Sequence, residues 1–438
     1  MKVDKELCAW ETKNVSLKRL DGDRVRLNRT YGLLEHQALG GSPYPTFISG
    51  ETIKEANVLV SRLERGLNKL ESVSLNDFDA AVLVDVGENV RRIHASMNYL
   101  YNPKEVAKIA NLLSVIYGNG AYTQLQAMLK GVIHSRVLHR ASADDFARTW
   151  IQREPEFESV RAALLGQLEK YKELVQKICV DTGLLEDKLE YDLALSPPLF
   201  GFSFWDDTTR LAAMNPKLFS QDGNVSATAL NHFNHEIIGH NLNFRFSRNM
   251  PRGLLPDEQG YLTQIQGVLG EGVALYTMDF ALGWMKRNRN LFKGKFNDPE
   301  RIPGAEELYI SRKLWQIVYD VLAFHDTENE DNTNYRREHR PKLVFAELTG
   351  NPRFFRDFYL FDDRTFSETL ADLQYVMGRI QTKNIVSALR KEIDFRKPKN
   401  RTAAMKMLLQ GFWTSPQAKK MFVTGPLLAR MKAAGEIV

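Results

Sequence analysis

The sequence predicts a mainly α-helical protein with one small β-sheet, on three observations. Long stretches carry apolar residues at i, i+3, i+4 and i+7, the period of a helix with one buried stripe. A single region, from Asp192 to Pro216, breaks that period: it mixes prolines, aromatics and turn residues and reads as a few short strands. Directly after it, ATALNHFNHEIIGHNLNF returns to a helical pattern, with two histidines and a glutamate in its middle.

In chain order, residues 1–50 are polar and turn-rich, end in GGSPYPTFISG, and are expected to form an irregular N-terminal arm or a packed loop. Residues 51–195 form a helical lobe, built from ETIKEANVLVSRLERGLNKLES, the stretches around Asp77 to Tyr99 and Pro103 to Tyr117, and FESVRAALLGQLEKYKELVQKICV. GNGAY at Gly118 lacks the strand context of a phosphate loop and reads as a turn between helices. The third region, 196–350, holds most of the strand-like segment and then the histidine helix, whose start Ser226 is placed to cap. Within it, DTENEDNTN from Asp326 fails as a calcium loop, because Asp331 stands where glycine is required and Arg337 where the bidentate glutamate belongs. Residues 351–438 are helical and basic, with SETLADLQYVMGRIQTKNIVSALRKEI as the clearest helix.

A chain of 438 residues has room for two or three lobes, and 43% hydrophobic with 26% charged residues is the balance of a soluble globular protein. No apolar run approaches the roughly 18 residues of a membrane span, and MKVDKELCAWETKN lacks the apolar core of a signal peptide. A cytoplasmic location is therefore expected, with secretion that needs no cleaved signal left open. Two cysteines, Cys8 and Cys179, argue against a disulfide framework, fit a reducing compartment and form no C-x-x-C pair. The net charge of +5 does not point to nucleic acid. From Lys391 onward, however, ten basic residues face three acidic ones. That bias suits either a solvated helical face or a surface for an acidic protein tail, a membrane headgroup or RNA.

HEIIGH, from His235 to His240, carries the chemistry. In the familiar HExxH zinc helix, ligands four apart lie one above the other. Here the second histidine comes five residues after the first, which on an ideal helix would turn it about 140° away. Both imidazoles reach one metal only if the helix widens locally, and Gly239 is the residue type that permits it. Glu271, on the later helical stretch GYLTQIQGVLGEGVALYTMDFALGWM, is the candidate third ligand. Two histidines and a glutamate make a catalytic zinc set with one position open to water. Glu236 then stands as the general base acting on metal-activated water. His232 reads as a flanking group, since a fourth protein ligand would close the site.

These residues resemble the gluzincin metallopeptidases, in the branch with HExxxH that includes dipeptidyl peptidase III and the tubulin tyrosine carboxypeptidases. The approach DDTTRLAAMNPKLFSQDGNVSATALNHFNHEIIGH is similar to that of the latter family, and EGVALY is similar to its EGLA segment. The resemblance covers about residues 200 to 326. Ile238-Gly239 stands where that family usually has Gly-Thr, and Gly270 precedes Glu271 where dipeptidyl peptidase III has a paired glutamate. The resemblance implies a zinc peptidase in which an edge strand beside the zinc helix holds the substrate backbone. Carboxypeptidase action on a peptide or protein, which can carry an acidic tail, is the first expectation. Aminopeptidase, dipeptidyl peptidase or restricted endopeptidase action is the alternative.

ELYISRKLWQIVYDVLAFHD, residues 307–326, supplies further candidates, because Tyr309, Arg312, Gln316 and Tyr319 recur at three, four and three. Tyr319 or His325 is expected to stabilise the oxyanion, and Arg312 to bind a peptide carboxylate. The competing reading is a polar face that meets water, with His325 capping the helix end. Tyr276 and Asp279, after Glu271, are candidates for substrate contact. A rival from another class stays open: a binding protein that keeps a peptidase fold and engages an acidic partner through its basic end. Oligomeric state is not legible.

Overall fold

The computed structural model describes residues 12–38, 50–101, 109–121, 123–125, 127, 154–195, 204–206, 209–215, 227–247, 264–292, 302–309, 311–313, 316 and 366–438. Among these, helices dominate, and strands are confined to the segment between Asp192 and Met214, where the loss of helical period predicts them. The chain divides into two compact units, each assembled from separated segments. One comprises Met1–Gln126, Arg245–Val273 and Arg364–Val438; the other comprises Ala127–Phe244 and Ala274–Asp363. These boundaries differ from the four consecutive regions expected from composition. A consecutive reading cannot see a helix that serves two cores, and the helix Gln264–Arg287 does so.

In the first unit, the expected irregular arm is corrected: residues Val15–Ala38 form a helix, α1. Asn14 caps it, its side-chain oxygen accepting from the Leu17 N–H at 3.0 Å. Its inward face carries Leu17, Leu20, Leu27, Tyr31 and Leu34, but also the buried Asp21, Arg24 and Asn28. Those polar residues interrupt the apolar stripe and make the helix read as a solvated arm. α2 (Gly50–Leu70) and α3 (Asp77–Tyr101) pack with α1. α4 (Ile109–Tyr117) ends at the expected turn, where Gly118 and Gly120 take φ of 101° and 81°.

The second unit carries the sheet. α5 (Glu154–Asp181) packs on β1 (Asp192–Leu195), which pairs in parallel with β3 (Leu211–Met214). β2 (Phe204–Asp206) runs antiparallel to β3, giving the order β1-β3-β2 with β1 and β2 at the edges. Next comes one continuous helical run: α6 (Ala227–Asn234), a π turn (His235–Asn241) and α7 (Leu242–Ser247), which passes into the first unit at Arg245. Phe233 of α6 fixes the run to its surroundings, its ring lying 6.3 Å from Tyr171 and 6.4 Å from Tyr191. Ser226, proposed as the cap, lies outside the described residues.

α8 (Gln264–Arg287) belongs to the first unit up to Val273 and to the second from Ala274. In the first unit, α8 crosses α9 (Phe366–Glu392) at two glycines. A side chain on either Gly272 or Gly378 would run into the other's backbone. The basic end forms α10 (Pro398–Leu408), α11 (Pro416–Phe422), a second π turn (Val423–Leu427) and α12 (Leu428–Ala433). Several of its cations serve the chain itself. Lys397 and Lys399 donate to the carbonyls of Val438 and Gly435, Arg401 to that of Phe395, and Arg396 pairs with Asp394. No helix of the described residues is long and apolar enough to cross a membrane.

Candidate metal centre

The two histidines are brought together by the widened turn that their spacing demands. A π turn closes its hydrogen bond five residues on, so residues five apart occupy corresponding places on successive turns. The Leu242 N–H reaches back to the Ile237 carbonyl in that manner. His235 Nε2 and His240 Nε2 consequently lie 3.1 Å apart, with ring planes at 80°. Glu236 joins them, and ligand atoms of all three residues fall within 4.8 Å of one another. His235 and Glu236 are buried, and His240 is half-buried.

The donor set fits a zinc ion. With Zn–N bonds of about 2.0–2.1 Å in tetrahedral geometry, two ligand nitrogens sit roughly 3.3 Å apart, close to the spacing of the two imidazoles. At 3.1 Å the two Nε2 atoms are close enough to share one proton in an N–H···N hydrogen bond, and the same approach lets both lone pairs converge on one cation.

The glycine in this turn is explained by its neighbour. An added Cβ on Gly239 would stand 2.5 Å from the Ala274 Cβ and 2.7 Å from its Cα, closer than packed carbons come. Gly239 is thus required by the approach of α8. On the same helix, the Thr277 hydroxyl donates to the Ala274 carbonyl at 2.6 Å and lies 3.4 Å from the Asn234 carbonyl, at the start of the widened turn. A bulge breaks the regular ladder of helix hydrogen bonds, and a side-chain hydroxyl beside it helps solvate the backbone there. Asn231, one turn earlier, donates to the Leu308 carbonyl at 2.9 Å and ties α6 to the stretch around residues 305–309. Edge strand β2 packs beside the π turn, the neighbourhood expected for a strand that receives an extended chain.

Glu271 stands on α8 three residues before Ala274, in the part assigned to the first unit, and is not one of the three clustered residues. Tyr276 follows on the same helix, half-buried. Arg312 is buried and forms an ion pair with Asp279, a partner that sequence spacing does not reveal because the two lie on separate segments. Tyr309 is flanked by Lys286 and Lys313, at 5.1 and 5.9 Å from its ring centre. His232 is half-buried on α6 and outside the cluster. Tyr319, His325 and the acidic run from Asp326 lie outside the described residues. Comparison with known protein families, with characterised proteins and with solved structures finds no match for this chain.

Proposed function

We propose that the protein is a zinc-dependent peptidase whose ligands are His235, His240 and Glu271 and whose general base is Glu236. The supporting observation is the approach of His235 Nε2 to His240 Nε2 at 3.1 Å, beside Glu236, in a turn that keeps an unusual backbone. A helix that departs from α geometry where two imidazoles and a carboxylate meet is an arrangement that metal chemistry explains, because π turns cluster at functional sites. When bound, zinc supplies Lewis acidity toward a peptide carbonyl and makes a nearby water acidic enough to lose a proton near neutral pH.

The chain's own groups do the rest. Glu236 lies next to His235 in sequence, with its carboxylate in the same 4.8 Å group as the two ring nitrogens, and there it takes the proton from the attacking water and passes it to the leaving amine. Ile237 and Ile238, fully buried beside it, exclude bulk solvent and strengthen each electrostatic contact inside. β2 offers its outer edge to the substrate backbone. Tyr319 or His325 steadies the oxyanion, and Tyr276 contacts substrate. In the carboxypeptidase reading, Arg312 receives the terminal carboxylate.

The Asp279–Arg312 ion pair favours a second reading. A carboxylate that already neutralises the guanidinium must be displaced before a substrate terminus can take its place. Cleavage without recognition of a free C-terminus needs no such exchange. Digestion of matched peptides, free or blocked at each end, with mass spectrometry of the products, tests both readings. Loss of cleavage on C-terminal amidation supports carboxypeptidase action. Equal cleavage of amidated peptides supports an endopeptidase or an aminopeptidase. No cleavage of any peptide by zinc-loaded protein contradicts the peptidase reading itself.

A further inference from the structure

The first unit contains a groove remote in sequence from the histidine motif. It has a volume of about 540 Å³ and is bounded by the end of α4 with its following turn, one face of α9, and α11, within the usual size range of ligand pockets. Its polar lining is unusual in kind: five carboxamides, Asn119, Gln124, Gln381, Asn384 and Gln417, together with Lys420. Among the described lining residues there is no carboxylate.

We propose that this groove binds a short extended peptide segment bearing acidic side chains. Carboxamides both donate and accept, which matches the alternating N–H and C=O groups of an extended backbone. Gln381 makes the strongest case. It is 5% exposed, its Nε2 donates to the Tyr117 carbonyl at 3.2 Å, and its Oε1 has no hydrogen-bond partner. A buried acceptor left unmatched is costly, and a small turn of the Gln381 side chain toward the groove it lines lets a peptide N–H supply the missing donor. Met377 and Met421 give the walls side chains that adapt to differing neighbours. Lys420 is exposed and is the one cation among the described lining residues, so it selects for negative charge. The groove does not depend on the metal-site reading, since all of its described residues lie in the first unit.

The probe is a fluorescein-labelled, N-acetylated octapeptide alternating leucine and glutamate, compared with its leucine and lysine counterpart. Binding is read by fluorescence anisotropy on the full chain carrying Glu236→Gln, so that the peptide stays intact if the protein cuts peptides. The glutamate peptide binds and the lysine peptide does not. Lys420→Glu, a surface change, weakens binding by at least about tenfold. Gln381→Met, which keeps the volume and removes the acceptor, weakens it without a change in unfolding temperature large enough to depopulate the folded state. The proposal is overturned if the two peptides bind alike, if neither binds, or if Lys420→Glu leaves the affinity unchanged.

Discussion

At the scale of single residues, the proposed function assigns metal binding to His235 and His240 and proton transfer to Glu236. Its neighbour His235 offers a ring nitrogen to the shared point, and the carboxylate lies within the same 4.8 Å group without needing to be a ligand. Glu236→Gln keeps the shape and removes the carboxylate charge that the proposed base needs. Turnover should fall by about 10²- to 10⁴-fold with zinc content unchanged, as read by peptide cleavage beside metal analysis on one preparation. Near-normal turnover would exclude the role. Arg312 shows the limit of spacing as a guide. Intervals of three and four give only the expectation that it shares a helical face with Tyr309 and Gln316, and in the structure Tyr309 is exposed while Arg312 is buried. Its pairing with Asp279 was not readable, because the partner stands 33 residues away and no local period links them. Long-range ion pairs leave no trace in one sequence beyond complementary sign.

At the scale of elements, the π turn and α8 are adapted to each other. The spacing of five in HEIIGH already required a widened helix, and Gly239 already marked where backbone would be least restrained. The reason that only glycine serves lies in Ala274, whose side chain occupies the space a Cβ would need. Gly239→Ala should destabilise the protein by about 1–3 kcal/mol, the usual cost of overpacking, and Ala274→Gly in the same chain should recover part of the loss. Thermal or denaturant unfolding of the single and double variants measures it. Additive losses, with no recovery, would show that the two residues do not share that space. α1 teaches the converse lesson. Its buried face includes Asp21, Arg24 and Asn28, so the apolar period fails although the helix is inside. The three strands were legible for the opposite reason: prolines and aromatics interrupt a chain that is otherwise periodic.

At the scale of the whole molecule, distant segments of the first unit are joined by buried charge. Asp85 of α3 accepts from the Thr414 N–H at 2.8 Å, the Thr414 hydroxyl at 3.0 Å and the Ser415 N–H at 2.6 Å, fixing the start of α11. Arg24, paired with Asp21, Arg92 and Lys419 are buried around the same carboxylate. Burial, only partly offset by Asp85, lowers the Lys419 pKa from 10.5 to about 7. Between those values the unfolded chain holds a proton that the folded chain lacks. This lysine's contribution to stability therefore rises with pH through that window, by at most about 1.4 kcal/mol per pH unit. The unfolding free energy of the native chain should climb between pH 7 and 9 relative to that of Lys419→Met, followed in denaturant titrations; parallel pH profiles would contradict it. Such a network was not legible in sequence, where Lys419 counts only as one more basic residue near the C-terminal end. The account as a whole rests on the metal. Zinc content per chain, measured on purified protein after zinc loading and removal of excess, tests it most directly. One zinc per chain in the native protein and in Glu236→Gln, lost in His235→Ala and in His240→Ala, is the result predicted. Undiminished zinc in both histidine variants, or none in the native chain, would contradict the account.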